Sequence, residues 1–297
     1  LGICIIMPLF FLFTIIGVKE HRETEKQKKV EGGVFKKMID AVKHNDQLRW
    51  IAVIFLIQQI GNGFVLGGIG STYIYLQFGY EGGLYSLFST VGVAATAFLM
   101  LFYPAISKKI NRKPLMNMMV AISAVGYVLM ILSRFIQPAA FLLLTVGYMI
   151  SNFGLYSYYL IMMISIINTV EYNEYKTGDR NEAIIASARP LITKMSSALI
   201  VVMTTATYMI FGVTNYTNQI SEFESASAAG LITDAEKLEG ISQVIQGVDP
   251  AQTWGLLILM VVIPYSMMIL SNALYQKHYK LDEAEYERIC KELEARR

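Results

Sequence analysis

Charge is scarce in this sequence of 297 residues: Asp, Glu, Lys and Arg make up 16%, against 54% hydrophobic residues. A soluble domain carries about a quarter charged residues, so the composition excludes an ordinary water-soluble globule. Histidine and cysteine are scarcer still, at three and two. His21, His44 and His278 all lie in charged connecting segments, while Cys4 lies in an apolar run and Cys290 in a polar tail. That distribution supports neither a disulfide framework nor a metal site, and it argues against an intramembrane metalloenzyme. No Asp or Glu falls inside any long apolar run. A formal net charge of +2 gives no reason to expect a nucleic-acid partner.

What the chain has is apolar length. A bilayer core of about 30 Å takes about 20 helical residues, and seven stretches meet or approach that: 1–18, 50–78, 84–103, 115–133, 139–167, 190–213 and 253–275. None alternates as a membrane strand would, so helices are the spanning solution. Lys and Arg set the orientation. Twenty-three of the 25 lie in alternate segments, 19–49, 104–114, 168–194 and the tail from Lys277, leaving only Arg134 and Lys237 opposite. The reading is an all-α, multi-pass protein of the plasma (cell inner) membrane. Segment 19–49 is a cytoplasmic linker, 50–275 a six-helix bundle and 276–297 a cytoplasmic tail. Leu1 opens inside an apolar run with neither the charged start nor the cleavage site of a signal peptide. The chain therefore reads as the C-terminal portion of a longer protein.

Two polar segments carry helix signals of their own. In the acidic loop 214–252, Thr233 and Glu236 have capping-box spacing ahead of Leu238, Ile241, Val244 and Ile245. In the tail, Asp282 stands as an N-cap, with Tyr286, Ile289 and Leu293 forming a narrow apolar stripe. A short surface helix is expected in each.

Inside a membrane, polar residues are the first functional candidates. Segment 50–78 offers Gln58, Gln59 and Asn62, whose amides can meet hydroxyl groups. Five glycines follow within ten residues. Gly63 and Gly67 have the small-xxx-small spacing of close helix packing, and the cluster also suits a bent or partly unwound helix. The run 139–167 is about 43 Å long as a helix. It must tilt, bend at Gly147 or Gly154, or project into the cytoplasm. Tyr148, Asn152, Tyr156 and Tyr159 share one of its faces. A polar-aromatic face suits a sugar, whose hydroxyls hydrogen-bond and whose ring stacks; tyrosine also lines membrane interfaces. Lys194 has two readings. A helix starting at Pro190 puts it in the first turn, where it snorkels; one starting near Glu182 puts it about 18 Å along. Between 168 and 182, both signs of charge crowd together (Glu171, Tyr172, Glu174, Lys176, Arg180, Glu182). That pattern fits a solvated connector and equally an ionic gate.

Glu171-Tyr-Asn-Glu-Tyr-Lys-Thr-Gly-Asp-Arg-Asn-Glu182, then Ser187 and Thr193-Lys194-Met-Ser-Ser-Ala198, resembles the signature of the tenth and eleventh helices in the glycoside–pentoside–hexuronide:cation symporters. Val18-Lys19-Glu20 with its basic run, and the tail from Tyr279 to Leu293, fit the same family. The resemblance implies the C-terminal half of a twelve-helix major facilitator superfamily transporter: the end of the sixth helix and the seventh to twelfth. It implies sugar uptake by alternating access, coupled to Na⁺ or H⁺, and no organic cofactor or resident metal. By the same resemblance, Lys194 faces the central cavity and Tyr159 lines the sugar path. Glu171, Arg180 and Glu182 match the cytoplasmic gate. The cation site is expected in the N-terminal six-helix half, which would be this chain's partner alongside the sugar, the cation and the lipid bilayer. Asn168 stands where the family commonly has an acid, and Pro190 where some relatives are polar. Two other readings share the topology: a self-contained seven-helix receptor, and a relative in the same fold that moves a non-sugar solute.

Overall fold

Asn45 begins the first long helix by accepting a hydrogen bond from Leu48 N at 2.8 Å, satisfying one of the free amides that every helix start leaves. This computed structural model describes residues 42–136 and 140–296, without the side chains of 93, 95, 96 and 98–100. The expected end of a helix at 1–18 and most of the linker 19–49 lie outside the described residues. Helix α1 (Asp46–Phe64) passes through one wide turn (Val65–Ile69) into α2 (Gly70–Phe78). Then come α3 (Gly82–Ser107), α4 (Arg112–Leu132), α5 (Ala140–Thr177) and α6 (Glu182–Ile210). Helices α7 (Thr214–Ala228), α8 (Asp234–Gln246), α9 (Pro250–His278) and α10 (Glu283–Arg296) complete the order. Among the described residues, five stretches are long and apolar enough to cross a membrane: Asp46–Phe78, Arg112–Leu132, Ala140–Thr177, Glu182–Ile210 and Pro250–His278.

The helices overrun the apolar segments at the basic end, because polar residues with good helix propensity continue the turn beyond the lipid. α5 has 38 residues, about 57 Å. Gly147 and Gly154 do not break it: they are contact points, where a side chain would strike Gly126 O and Met119 O of α4. The helix runs on unbroken past the apolar segment to Thr177. α6 begins at Glu182, the longer of the two readings, with Pro190 inside it. Proline has no N–H to give the Ala186 carbonyl, and the helix carries that loss without ending.

The glycine-rich stretch is not unwound. Its one wide turn adds a residue, so the contact with α6 moves by one position. A side chain at Gly63 would meet Ile200 Cδ1 at 2.5 Å and one at Gly68 would run into Thr204, whereas Gly67 faces open space. The packing pair is Gly63/Gly68 rather than Gly63/Gly67. Both surface-helix expectations hold. Thr233 and Glu236 form the capping box of α8. Asp282 Oδ1 accepts from Glu285 N at 3.0 Å at the head of α10, and Ile289 and Leu293 are buried. α7 has no counterpart in the sequence reading.

α5 lies at the middle of the described bundle, touching α1, α3 and α4, while α6 rests mainly on α1. At the basic end α1 meets α9 through Trp50 stacked on His278, ring centroids 3.6 Å apart. Lys280 N donates to Gln47 Oε1 at 2.7 Å, so the chain after α9 folds back on the start of α1.

Candidate functional site

α6 has three faces. Ile185, Ala188, Ile192, Ser196, Ile200 and Thr207 are buried and form the stripe that packs on the bundle. At about 100° per residue, the remaining surface divides in two. One arc is apolar: Leu191, Met195, Leu199, Val202 and Met209 are all exposed. The other carries Ser187, Thr193, Lys194, Ser197, Thr205 and Tyr208, with Val201 among them. Lys194 is exposed, almost opposite the packing stripe, and among the described residues it makes no hydrogen bond or ion pair. A lysine on a polar arc belongs to a wet or protein-facing surface; on the apolar arc it would have faced lipid.

α1 carries Gln58, Gln59 and Asn62. Gln58 is buried and donates weakly to Leu155 O (3.4 Å), while the oxygens of Gln58, Gln59 and Asn62 are buried without a donor among the described residues. An orphaned buried acceptor costs about 1–3 kcal/mol, and here three fall within five residues. On α5, Tyr159 packs near Phe55 and Tyr156, at ring-centroid distances of 5.9 and 6.3 Å. Arg189 Nη2 of α6 donates to its hydroxyl at 2.7 Å. Tyr148 and Asn152 take a different direction. Tyr148 stacks on Phe88 at 4.3 Å, and Asn152 Nδ2 donates to Gly92 O at 2.9 Å, with Asn152 only 2% exposed. Asn152 is therefore held in the α3–α5 contact, where its amide satisfies a backbone carbonyl. The sequence grouped it with Tyr156 and Tyr159; the structure separates them. Among the described residues no hydrogen bond or cation–π contact joins Lys194 to Tyr159 either.

The residues between 168 and 182 condense into two clusters. Arg180 bonds Glu171 (Nη2–Oε1, 3.1 Å), Glu174 (Nη1–Oε2, 3.3 Å) and Glu182 (Nε–Oε2, 3.1 Å). The Glu182 hydrogen bond, followed by the charges of all three carboxylates, outweighs partial desolvation and raises the Arg180 pKa further, so this guanidinium stays charged. In the second cluster Asp46 Oδ1 accepts from Lys176 Nζ at 2.6 Å and from the Tyr172 hydroxyl at 2.8 Å. These pairs tie the basic ends of α1, α5 and α6 to one another. Two concave pockets, about 370 and 150 Å³, lie at the opposite end beside α8 and α7, and neither is lined by any of these residues.

Residues 1–283 match the family described as MFS/sugar transport protein. The chain belongs to that family. It is 29% identical to a lactose permease of Lactobacillus delbrueckii subsp. bulgaricus over 57% of this chain and 26% of that protein. It is 25% identical to a lactose permease of Leuconostoc lactis over 66% of this chain and 29% of that one. Likeness to the raffinose carrier protein of Pediococcus pentosaceus is 24% over 98% of this chain and 41% of the carrier. The chain thus spans well under half the length of these relatives. They are transporters rather than enzymes, and with the spanning helices they establish a multi-pass membrane protein in the major facilitator superfamily. Membership sets aside the seven-helix receptor.

Within this sugar transport family member, sequence reasoning missed two partners. Asp46 precedes the apolar segment and read as linker; its signal was the Asn45-Asp46 start of a helix. Arg189 read as the end of the basic segment, although an arginine seven residues into an apolar helix is itself a signal. A third anchor is at α4: Glu283 Oε1 accepts from Arg112 N (2.7 Å) and Nε (3.0 Å). With its amide turned oxygen-first, Asn168 also accepts from Arg112 Nη1 at 2.7 Å. A neutral amide of α5 thus meets the guanidinium, and the carboxylate comes from Glu283 of α10.

Proposed function

We propose that the chain forms the C-terminal six-helix half of a cation-coupled sugar symporter of the cell membrane, which works by alternating access between two halves. The observation that carries this reading is the polar arc of α6 with Lys194 on it, set apart from the apolar arc. Such a surface suits contact with a second half across a water-filled path, and the chain's span of its relatives leaves length for that half. The orphaned amide oxygens of Gln58, Gln59 and Asn62 support the same picture, since each requires a donor, and sugar hydroxyls or the second half supply donors. The relatives' names, lactose permease and raffinose carrier, favour a glycoside as substrate. The coupling cation, Na⁺ or H⁺, binds in the N-terminal half.

The excess of Lys and Arg at one end supports a cytoplasmic location for that end and the C-terminus. The Arg180 and Asp46 clusters then hold the cytoplasmic ends of α1, α5 and α6 together and act as an ionic latch that parts in one state of the cycle. In the full-length carrier, Lys194→Ala is expected to lose cation-driven sugar accumulation while the protein keeps its abundance in the membrane. Accumulation at the wild-type level would reduce Lys194 to a snorkelling residue and remove the main support for this reading.

A further inference from the structure

Arg189 and Tyr159 make a pair whose chemistry goes beyond holding two helices together. The guanidinium Nη2 donates to the Tyr159 oxygen at 2.7 Å, and the guanidinium carbon lies 5.9 Å from the centre of the Tyr159 ring. Phe55 and Tyr156 neighbour the ring at 5.9 and 6.3 Å, and Tyr159 as a whole is half-buried. A guanidinium carries donors only and remains protonated at any working pH; a phenol carries one proton and can also accept. With Arg189 occupying the accepting side, the phenol proton cannot point toward Arg189 and is directed away from it. Accepting a charge-assisted bond also polarises the O–H and strengthens it as a donor.

We propose that Arg189 is a positioning residue: it fixes Tyr159 as a hydrogen-bond donor to the transported sugar, so that the carrier reads one substrate oxygen as an acceptor. The inference rests on the reading that Tyr159 lines the sugar path. A sugar hydroxyl can donate or accept, and a free tyrosine would serve either. A tyrosine held by a donor-only partner does not. It favours whatever accepts and is indifferent to whether that atom carries a hydrogen of its own.

The test is transport by the full-length carrier of a glycoside it takes up, together with its monodeoxy and monodeoxyfluoro analogues. Fluorine accepts weakly and cannot donate; hydrogen does neither. Wild type is expected to take the fluoro analogue in preference to the deoxy analogue at one ring position. Tyr159→Phe should abolish that preference and raise KM about three- to tenfold, the range for one hydrogen bond. Arg189→Gln, whose amide can both donate and accept, should raise KM with turnover unchanged and erase the preference. Arg189→Lys, a donor-only replacement, should restore part of it and serves as the deciding variant if the Gln protein is lost from the membrane. The proposal is overturned if Tyr159→Phe raises KM while both Arg189 variants keep the wild-type KM and analogue preference. If Tyr159→Phe changes neither quantity, the placement of Tyr159 on the sugar path fails first, and the proposal with it.

Discussion

Replacing Arg180 by Gln takes one guanidinium away from three carboxylates and leaves those carboxylates facing each other at the basic end of α5 and α6. The magnitude follows from how well water reaches each pair. Arg180 is 43% exposed, with Glu171 at 16%, Glu174 at 17% and Glu182 at 66%. Exposed ion pairs contribute about 0.2–1 kcal/mol each, and the two shielded ones belong at the upper end. Glu182 makes the bond that most raises the Arg180 pKa, but water replaces so exposed a partner at little cost. The latch is thus worth about 1–2 kcal/mol, or about 5- to 30-fold in the ratio of open to closed forms. The assay is alkylation of a cysteine placed on the polar arc of α6, Ser197→Cys, by an impermeant maleimide from the cytoplasmic side of inside-out vesicles holding the full-length carrier. Arg180→Gln should label about 5- to 30-fold faster. Glu171→Gln and Glu174→Gln should move the same way by less, and Glu182→Gln should stay within about twofold. The differences should shrink as salt rises from 0.1 to 1 M. Labelling of Arg180→Gln at the wild-type rate would refute the latch. A Glu182→Gln effect as large as that of Arg180→Gln would refute the ranking by exposure.

Asn152→Ala should destabilise the protein by about 0.5–1.5 kcal/mol through the lost bond to Gly92 O and leave the sugar KM at its wild-type value, as thermal denaturation and uptake kinetics would show; a raised KM would return Asn152 to the substrate path. Glu283 tests the docking of α10 by pH. Burial raises its carboxyl pKa, but the backbone and side-chain bonds from Arg112 outweigh this and hold it below the ordinary 4.5. With the folded value depressed, its stabilisation is complete above that ordinary value and fades as the pH falls below it. Hydrogen exchange over 283–296, corrected for intrinsic rates, should lose protection as the pH drops below the ordinary glutamate value, and Glu283→Gln should show reduced protection already at neutral pH. Equal protection in the variant and wild type at neutral pH would contradict the assignment.

Features set by neighbours a few residues away were legible in the sequence. The caps of α8 and α10 and the stripe of Ile289 and Leu293 depend on spacings of three and four, which one helix turn enforces whatever surrounds it. The chemistry of the basic end was legible for a similar reason: Glu171, Glu174, Arg180 and Glu182 share one short connection and had few other partners in reach. Asp46 was not legible, since its partner Lys176 lies 130 residues away and only the packing of α1 on α5 brings them together. α7 was missed because it is polar almost throughout, with Ile220 alone buried. Its apolar stripe is short, Tyr216, Ile220 and Phe223, and Phe223 lies over Gly240 of α8. The tyrosine face of α5 misled in an instructive way. A helix this long passes different neighbours at different heights, so Tyr148 and Asn152 meet α3 while Tyr159 meets α1 and α6. One face in the sequence becomes two environments in the fold. The Gly63/Gly67 pattern erred by one residue for a separate reason, the wide turn at Val65–Ile69, which shifts the register of everything after it.

The proposed symport requires that sugar and cation move together. The direct measurement is cation entry on adding a transported glycoside to de-energised proteoliposomes of the full-length carrier, followed with a pH electrode and with ²²Na⁺. Sugar-dependent entry of one of the two cations is expected, with sugar accumulation that collapses when an ionophore dissipates that cation's gradient. Sugar that equilibrates across the membrane with no movement of either cation, and with no response to the ionophore, would contradict it.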